Sequence, residues 1–383
     1  MKVRRWVVAA GLVAVLGVLA FAGLAGASTS SADSATATKA AAATKVTLQL
    51  KWVTQAQFAG YYVAKAKGYY TKAGLDVNIK VGGPDITPEQ VVASSQAEFG
   101  LDWLPSLLAS RDKGADLVNI AQVFTRSGMT EITWKDSGID TIAKMRGKKV
   151  GNWLFGNEFE LFAALVKNGM DPTKNKDVKI VQQPFTMDLF LQRKIDAASA
   201  MTYNELAQVL ETKNPKTGQL YKLSDLNVIK MQDASKGAGT AMLEDGIFVR
   251  GDWIKDGKNQ ATAKKFLAAS FKGWIYCRTH LKECTSIVLK NSPILGRGHQ
   301  TWQMNEINAL IWPAPKGIGV MNTTDYARTS KISQQFKVVS KAPAGAYRAD
   351  LAKAAIATLK KQGYDVNGLK WKKATVAVTA GGK

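Results

Sequence analysis

The sequence predicts an α/β protein of two lobes, each built on a mostly parallel sheet, with a hinged cleft between them. Three observations predict it. Apolar residues recur with periods of two and of 3.6 in alternating segments, the pattern of βαβ units. The alternation stops near 125–130 and restarts. Late in the chain GIFVR (246–250) reads as a strand returning to the first lobe. The 383 residues, 46% of them hydrophobic, are enough for two cores.

The elements follow in order. VTLQLKW (46–52) alternates Val46, Leu48, Leu50 and Trp52, a strand. AQFAGYYVAKAKGYY places Phe58, Tyr61, Tyr62 and Ala66 at helical spacing, and Gly68 ends that helix. GLDVNIKV is a strand closed by Gly82-Gly83-Pro84. TPEQVVASSQ opens with Thr87, Pro88 and Gln90, which predicts a helix with a capping box. AEFGLDW, PSLLASRDKG and LVNIAQVF read as strand, helix and strand. After the restart come EITW, a helix over GIDTIAKMRG (138–147), the strand KKVGNW, and the helix NEFELFAALVKNG, ended by Gly169. Further strands are expected at 178–185, 195–201 and 226–231, with helices opening at Met187 and Tyr203. NQATAKKFLAASFKGWIYC (259–277) is a long amphipathic helix, and the rest to about Gly363 is helical and loop-rich. Lobe 1 is expected over 45–128 plus 241–365, lobe 2 over 129–240, and a basic tail over 366–383. Two crossings between lobes make a hinged pair.

The N-terminus has the pattern of an export signal. Lys2, Arg4 and Arg5 precede an uncharged run from Trp6 to Leu24, and Ala25-Gly26-Ala27 is a small-x-small cleavage site. The run is near the lower length limit for a membrane span, so a retained anchor is the alternative. No cysteine stands at 27 or 28 for lipidation. Residues 28–44 are Ala/Ser/Thr-rich, a flexible leader. The formal charge is +22, and removing the signal leaves about +19. In an exported chain this favours an anionic envelope over nucleic acid as the partner of a basic surface, or plain solubility. Cys277 and Cys284 are the two cysteines. Seven residues of straight helix separate their Cα atoms by about 10.5 Å, so a disulfide requires the helix to break within RTHLKE. With two histidines, His280 and His299, and no cluster of ligating residues, no metal site is expected.

Ligands of open parallel sheets lie beyond the carboxyl ends of the strands. Four such ends carry aromatics here: Trp52, Trp103, Trp153 and Tyr203. A single Trp at such a place is more often core than contact; four at equivalent positions point to a stacking site for a flat π-system. Phe58 and Tyr61, on the first helix, are further aromatic candidates. Polar candidates stand beside them: Asp102, Asn157, Glu158, Asn204 and Glu205. Their carboxylates suit a ligand with N–H or O–H donors rather than an anion. Glu158 also reads as a charge complementing a helix N-terminus, and Phe155 as packing beneath the turn GNWLFGNEFEL (151–161). VGGPD (81–85) is either bare backbone against a ligand or a turn; it is no phosphate loop. No G-x-S-x-G, H-E-x-x-H or histidine-paired nucleophile motif occurs, which argues against an enzyme and assigns no catalytic residue.

LQLKWVTQAQFAGYYVAKAKGYYTKAGLDVNIKVGG, AEFGLDW and GKKVGNW together resemble the extracytoplasmic substrate-binding proteins of ABC importers. The branch is the thiamine-pyrimidine-precursor and sulfonate-binding-like one, and the similarity covers about residues 45–365. The resemblance implies a type II periplasmic-binding-protein fold, closure around one small molecule without a cofactor, and delivery to a permease with its ATPase. It implies a monomer on the extracytoplasmic side of a membrane. GNWLFGNEFE with MTYNE looks like the riboflavin branch, with the formylaminopyrimidine-binding branch as the alternative. The eukaryotic pyrimidine synthase of this fold looks similar too, but it relies on a cysteine-rich iron motif and a substrate histidine that have no matching positions here.

Overall fold

A computed structural model of the chain describes residues 42–341 and 343–383. The expected export signal, and the leader up to Ala41, lie outside the described residues. No helix among the described residues is long and apolar enough to cross a membrane.

Among the described residues, ten strands form two five-stranded sheets. The first holds β1 (Thr44–Gln49), β2 (Leu75–Lys80), β3 (Phe99–Trp103), β4 (Leu117–Gln122) and β10 (Asp245–Arg250), in the order β2-β1-β3-β10-β4. The second holds β5 (Met129–Trp134), β6 (Lys149–Asn152), β7 (Lys179–Gln182), β8 (Ala197–Met201) and β9 (Leu226–Lys230), in the order β7-β6-β8-β5-β9. Each sheet is mixed in the same way. β10 runs antiparallel to both its neighbours, as does β5, and the remaining strands of each sheet run parallel. The antiparallel strand is in each case the first after a crossing, and it takes the place next to one edge strand, β4 or β9.

The helices are α1 (Ala59–Ala66), α2 (Tyr69–Lys72), α3 (Pro88–Ala93), α4 (Leu104–Asp112), α5 (Phe159–Lys167), α6 (Asp188–Leu191), α7 (Glu205–Leu210), α8 (Gly257–Thr279), α9 (Leu281–Asn291), α10 (Arg297–Ile311), α11 (Thr323–Gln335) and α12 (Asp350–Lys361). Two expectations need correction. Thr87 sits at the N-cap of α3 without a side-chain bond; its backbone carbonyl accepts from Gln90 and Val91 instead. Over 138–147 there is no α-helix, only a 3-10 turn at Ile142–Met145. Gly138 and Gly147 at its two ends are left-handed (φ 68° and 72°), and the stretch between them is too short to propagate a helix.

The segments 123–128 and 231–244 cross between the sheets, and two buried carboxyls tie them. Glu244 accepts from the backbone N–H of Gly128 (2.7 Å) and of Met129 (3.2 Å). Glu160 accepts from Ser127 Oγ (2.8 Å) and from Met242 N (2.9 Å). Burial pushes Glu160 up to about 8, and burial together with Glu160 and Asp245 raises Glu244.

Cys277 and Cys284 form a disulfide with a Cα separation of 5.6 Å. The helix breaks between them at His280, which lies at φ −120° and ψ 53° and separates α8 from α9. The core under the first sheet is closed by α1 against α8. Gly60 and Gly273 meet there: a Cβ on Gly273 would lie 2.0 Å from the Gly60 carbonyl oxygen. The backbones are in direct contact, so Gly273→Ala should overpack the pair and destabilise the protein by about 1–3 kcal/mol. A chemical denaturation curve measures this, and a change under about 0.5 kcal/mol would show that the helices separate at no cost.

Candidate ligand slot between the facing strand ends

The carboxyl ends of β1 and β3 in one sheet face those of β6 and β8 in the other, and a slot lies between them. Lys51, Trp52, Gln55, Gln57, Trp103, Trp153, Asn157, Met201, Tyr203, Asn204 and Glu205 line it. Its cavity volume is about 30 Å³, room for one or two water molecules and well below the roughly 300–1,000 Å³ of sites that hold a small organic molecule, so a ligand enters only if the two sheets part. The four aromatics read from the strand ends all stand in it. So do Asn157, Asn204 and Glu205.

The other sequence candidates do not line it. Phe58 and Tyr61 are core: helical spacing turns them inward, and Tyr61 packs edge-on against Trp274 with ring centroids 5.7 Å apart. Asp102 lies behind the wall, in an ion pair with Lys51 and accepting from Trp103 N at 2.6 Å. Glu158 precedes α5 and folds back to accept from Gly156 N at 2.8 Å. Phe155 does not pack beneath the turn; it is 63% exposed, because its left-handed backbone (φ 54°) swings the side chain outward. Gly82 serves the backbone after β1 rather than a ligand: its N–H donates to the Trp52 carbonyl at 3.1 Å, and a Cβ would lie 2.2 Å from the Leu50 carbonyl oxygen. Lys51, Gln55, Gln57 and Met201 were missed. All but Met201 flank Trp52 in LKWVTQAQF, so the strand-end rule that found Trp52 reaches them if the loop after the strand is included.

The turn after β6 is built to present Trp153. Leu154, Phe155 and Gly156 all have positive φ (62°, 54° and 94°), a strained run for two non-glycine residues. Side-chain amides hold it. Asn152 Oδ1 accepts from Leu154 N (2.7 Å), and Asn152 Nδ2 donates to Ser199 Oγ (2.8 Å). Asn157 Nδ2 donates to the Leu154 carbonyl (2.7 Å). Across the slot Ser106 Oγ, on α4, donates to the Gly156 carbonyl at 3.1 Å. Trp52 meets Phe185 edge-on, with centroids 5.0 Å apart. Both contacts bridge the sheets at the rim of the slot.

The polar groups have a consistent character. Lys51 and Asp102 are a buried ion pair, and the Lys51 ammonium lies 4.9 Å from the Trp103 ring centroid. Burial opposes the Lys51 charge, but Asp102 together with Glu89 and Asp245 outweighs it and the ammonium is held above its usual range. Gln55 Nε2 donates to Gln57 Oε1 (2.7 Å), and Gln57 Nε2 donates to Asp245 Oδ2 (2.9 Å). Burial pushes Asp245 up to about 7, and the Trp103 indole faces it without closing a hydrogen bond of ordinary geometry. Burial likewise pushes Glu205 up to about 7, against bonds from Met201 N and Asn204. The indole N–H groups of Trp103 and Trp153 are buried without a partner. The slot therefore offers aromatic faces, two indole N–H groups without a partner and the carboxyl of Glu205. No group of three or more metal-ligating residues occurs among the described residues.

A family model described as NMT1/THI5 like matches residues 55–283. The chain belongs to the NMT1/THI5-like family. A riboflavin-binding protein of Chloroflexus aurantiacus is 26% identical over 234 residues, 60% of this chain and 61% of that protein. A formylaminopyrimidine-binding protein of Halalkalibacterium halodurans is 30% identical over 107 residues, 28% of this chain and 32% of that protein. The matched stretches thus span less than two thirds of these relatives. Among solved structures, the alkanesulfonate-binding protein of Xanthomonas axonopodis pv. citri superimposes with a TM-score of 0.59 at 14% identity, over 81% of this chain and 99% of that one. The fold of this NMT1/THI5-like chain is therefore the two-lobed fold of periplasmic binding proteins.

The raised carboxyls give a pH prediction. A carboxyl with a folded-state pKa of about 7, against about 4 unfolded, favours the folded state fully below pH 4; that contribution is lost as pH rises through 7. Glu205→Gln mimics the protonated form at every pH. Relative to the unmodified protein, it should gain stability between pH 5 and pH 8. Melting temperatures at the two pH values test this, and an identical difference at both would contradict the assignment.

Proposed function

We propose that this protein is the extracytoplasmic solute-binding component of an ABC importer and that it captures a flat nitrogen heterocycle, riboflavin first. The single observation that carries the reading is the meeting of Trp52, Trp103, Trp153 and Tyr203 from four facing strand ends in one slot. Aromatic walls reward a planar π-system with apolar burial and stacking of about 0.5–1.5 kcal/mol per pair. An isoalloxazine ring carries carbonyl acceptors for the indole donors and an N–H donor for a carboxyl, and the ribityl hydroxyls suit Asn157 and Asn204. The names of the riboflavin- and formylaminopyrimidine-binding relatives support the class and leave the aminopyrimidine as second choice.

In this reading the lobes are 45–128 plus 241–365 and 129–240, the partners are a permease and its ATPase, and the chain acts as a monomer. Its basic surface lies against an anionic envelope. An exported pyrimidine-synthesising enzyme is the reading of another class, and the site disfavours it. His299, which lies beside the slot, has both ring nitrogens engaged by Glu211 and Asn204, leaving neither for a substrate.

Adding riboflavin to the purified mature chain should quench flavin and tryptophan fluorescence together. Trp153→Ala should weaken binding by about 1–3 kcal/mol while the protein still melts cooperatively. Absence of quenching by riboflavin, with saturable heat on adding formylaminopyrimidine, would move the assignment to the second ligand. Absence of both would sink it.

A further inference from the structure

A hydrogen-bonded chain runs behind the slot and ends on one of its walls. Glu211, just past α7, holds His299 Nδ1 at 2.9 Å. His299 Nε2 lies 2.8 Å from Asn204 Oδ1. Asn204 Nδ2 donates to Glu205 Oε1 at 2.7 Å, and Glu205 Oε2 accepts from Met201 N at 3.0 Å. Glu211, Asn204 and Glu205 belong to the α7 segment, which leads out of the second sheet. His299 arrives on α10, which packs on α9 and on the 56–58 turn.

The donors and acceptors fix how protons can be placed along this chain. Glu211 is an acceptor, so Nδ1 carries a proton. If the Asn204 amide stands as described, its Oδ1 can only accept, so Nε2 carries a proton too and the ring is an imidazolium. Asn204 Nδ2 then donates to an ionised Glu205. The other consistent arrangement turns the amide over. His299 is then neutral, accepting at Nε2 from Asn204, and Glu205 is protonated and donates to the Asn204 oxygen. Total charge is equal in the two, but the charge beside the slot differs. Only the first places a full carboxylate there.

We infer that His299 is a positioning residue for this site: across Asn204 its charge favours the ionised form of the Glu205 carboxyl, whose remaining lone pairs are open to the N–H donors of a ligand. The inference rests on the slot being the ligand site. The other charged or titratable groups around the chain are Lys51, Tyr203 and Asp245 at or near the slot; Arg297 is turned away to Ser286 at 2.9 Å, and the C-terminal strand of coil meets Glu211 through the Gly381 N–H. Burial already pushes Glu205 up to about 7, with the charge of His299 among the influences that pull it back. Removing that charge should drive it higher, so that a larger fraction is protonated at neutral pH.

The test uses the mature chain and His299→Gln, which can still donate one hydrogen bond but carries no charge. Riboflavin and formylaminopyrimidine are titrated separately from pH 6 to 9.5. With its binding midpoint raised by about one unit, the variant should bind about fivefold more weakly near pH 7, approach tenfold near pH 6, and recover to within about twofold by pH 9. Equal weakening at every pH, or no change, would overturn the inference. A ligand-free measurement separates it from the reading it rests on. The chain has two histidines, so ¹⁵N spectra of the rings are assigned by the variant. Both nitrogens of His299 should be protonated at pH 7. A neutral ring protonated at Nδ1 alone overturns the inference whichever ligand binds. A doubly protonated ring with neither probe bound upholds the relay and defeats the ligand reading instead.

Discussion

The geometry of the site depends on the buried tie between the two crossing segments. Gly128 and Met129 donate to Glu244, and Met242 and Ser127 donate to Glu160. Glu244 satisfies the backbone N–H groups of Gly128 and Met129, and Glu160 the N–H of Met242 and the Ser127 hydroxyl, groups at the crossings that would otherwise be buried without partners. The tie fixes where β5 and β10 enter their sheets, each beside an edge strand. Because both enter antiparallel, the parallel strands on either side present their carboxyl ends to one another. The slot is what that facing leaves open.

Within the slot, rigidity comes from side-chain amides more than from secondary structure. Asn152 and Asn157 hold three consecutive left-handed residues so that Trp153 stands in the wall and Phe155 in solvent. Gln55 and Gln57 carry the same logic on the other lobe, joining the loop after β1 to Asp245. Neutral amides suit this role. They satisfy both donors and acceptors without adding charge to a region that already buries Lys51, Asp102, Asp245 and Glu205. The acids then differ in role by environment. Asp102 is paired with an ammonium, whereas burial pushes Asp245 and Glu205 up to about 7.

Much of this was legible in the sequence. The alternation of periods determined the strand and helix order, because a period of two or of 3.6 is a local property of the apolar residues. The strand-end rule picked out Trp52, Trp103, Trp153 and Tyr203, because the ends of strands can be read once the strands are. The cysteine spacing showed that any bridge needs a broken helix, since helical rise is fixed, and the break falls at His280. Tertiary structure alone decided the rest. It turned Phe58 and Tyr61 to the core and Phe155 to solvent, since the direction of a side chain depends on what packs against its helix or on the hand of its turn. It set Asp102 against Lys51, and it brought Glu211, Asn204 and Glu205 to His299 across some ninety residues of chain. Such contacts are made by the closing of one sheet upon another, and no local pattern in the sequence carries the distance between residues that only the fold makes neighbours.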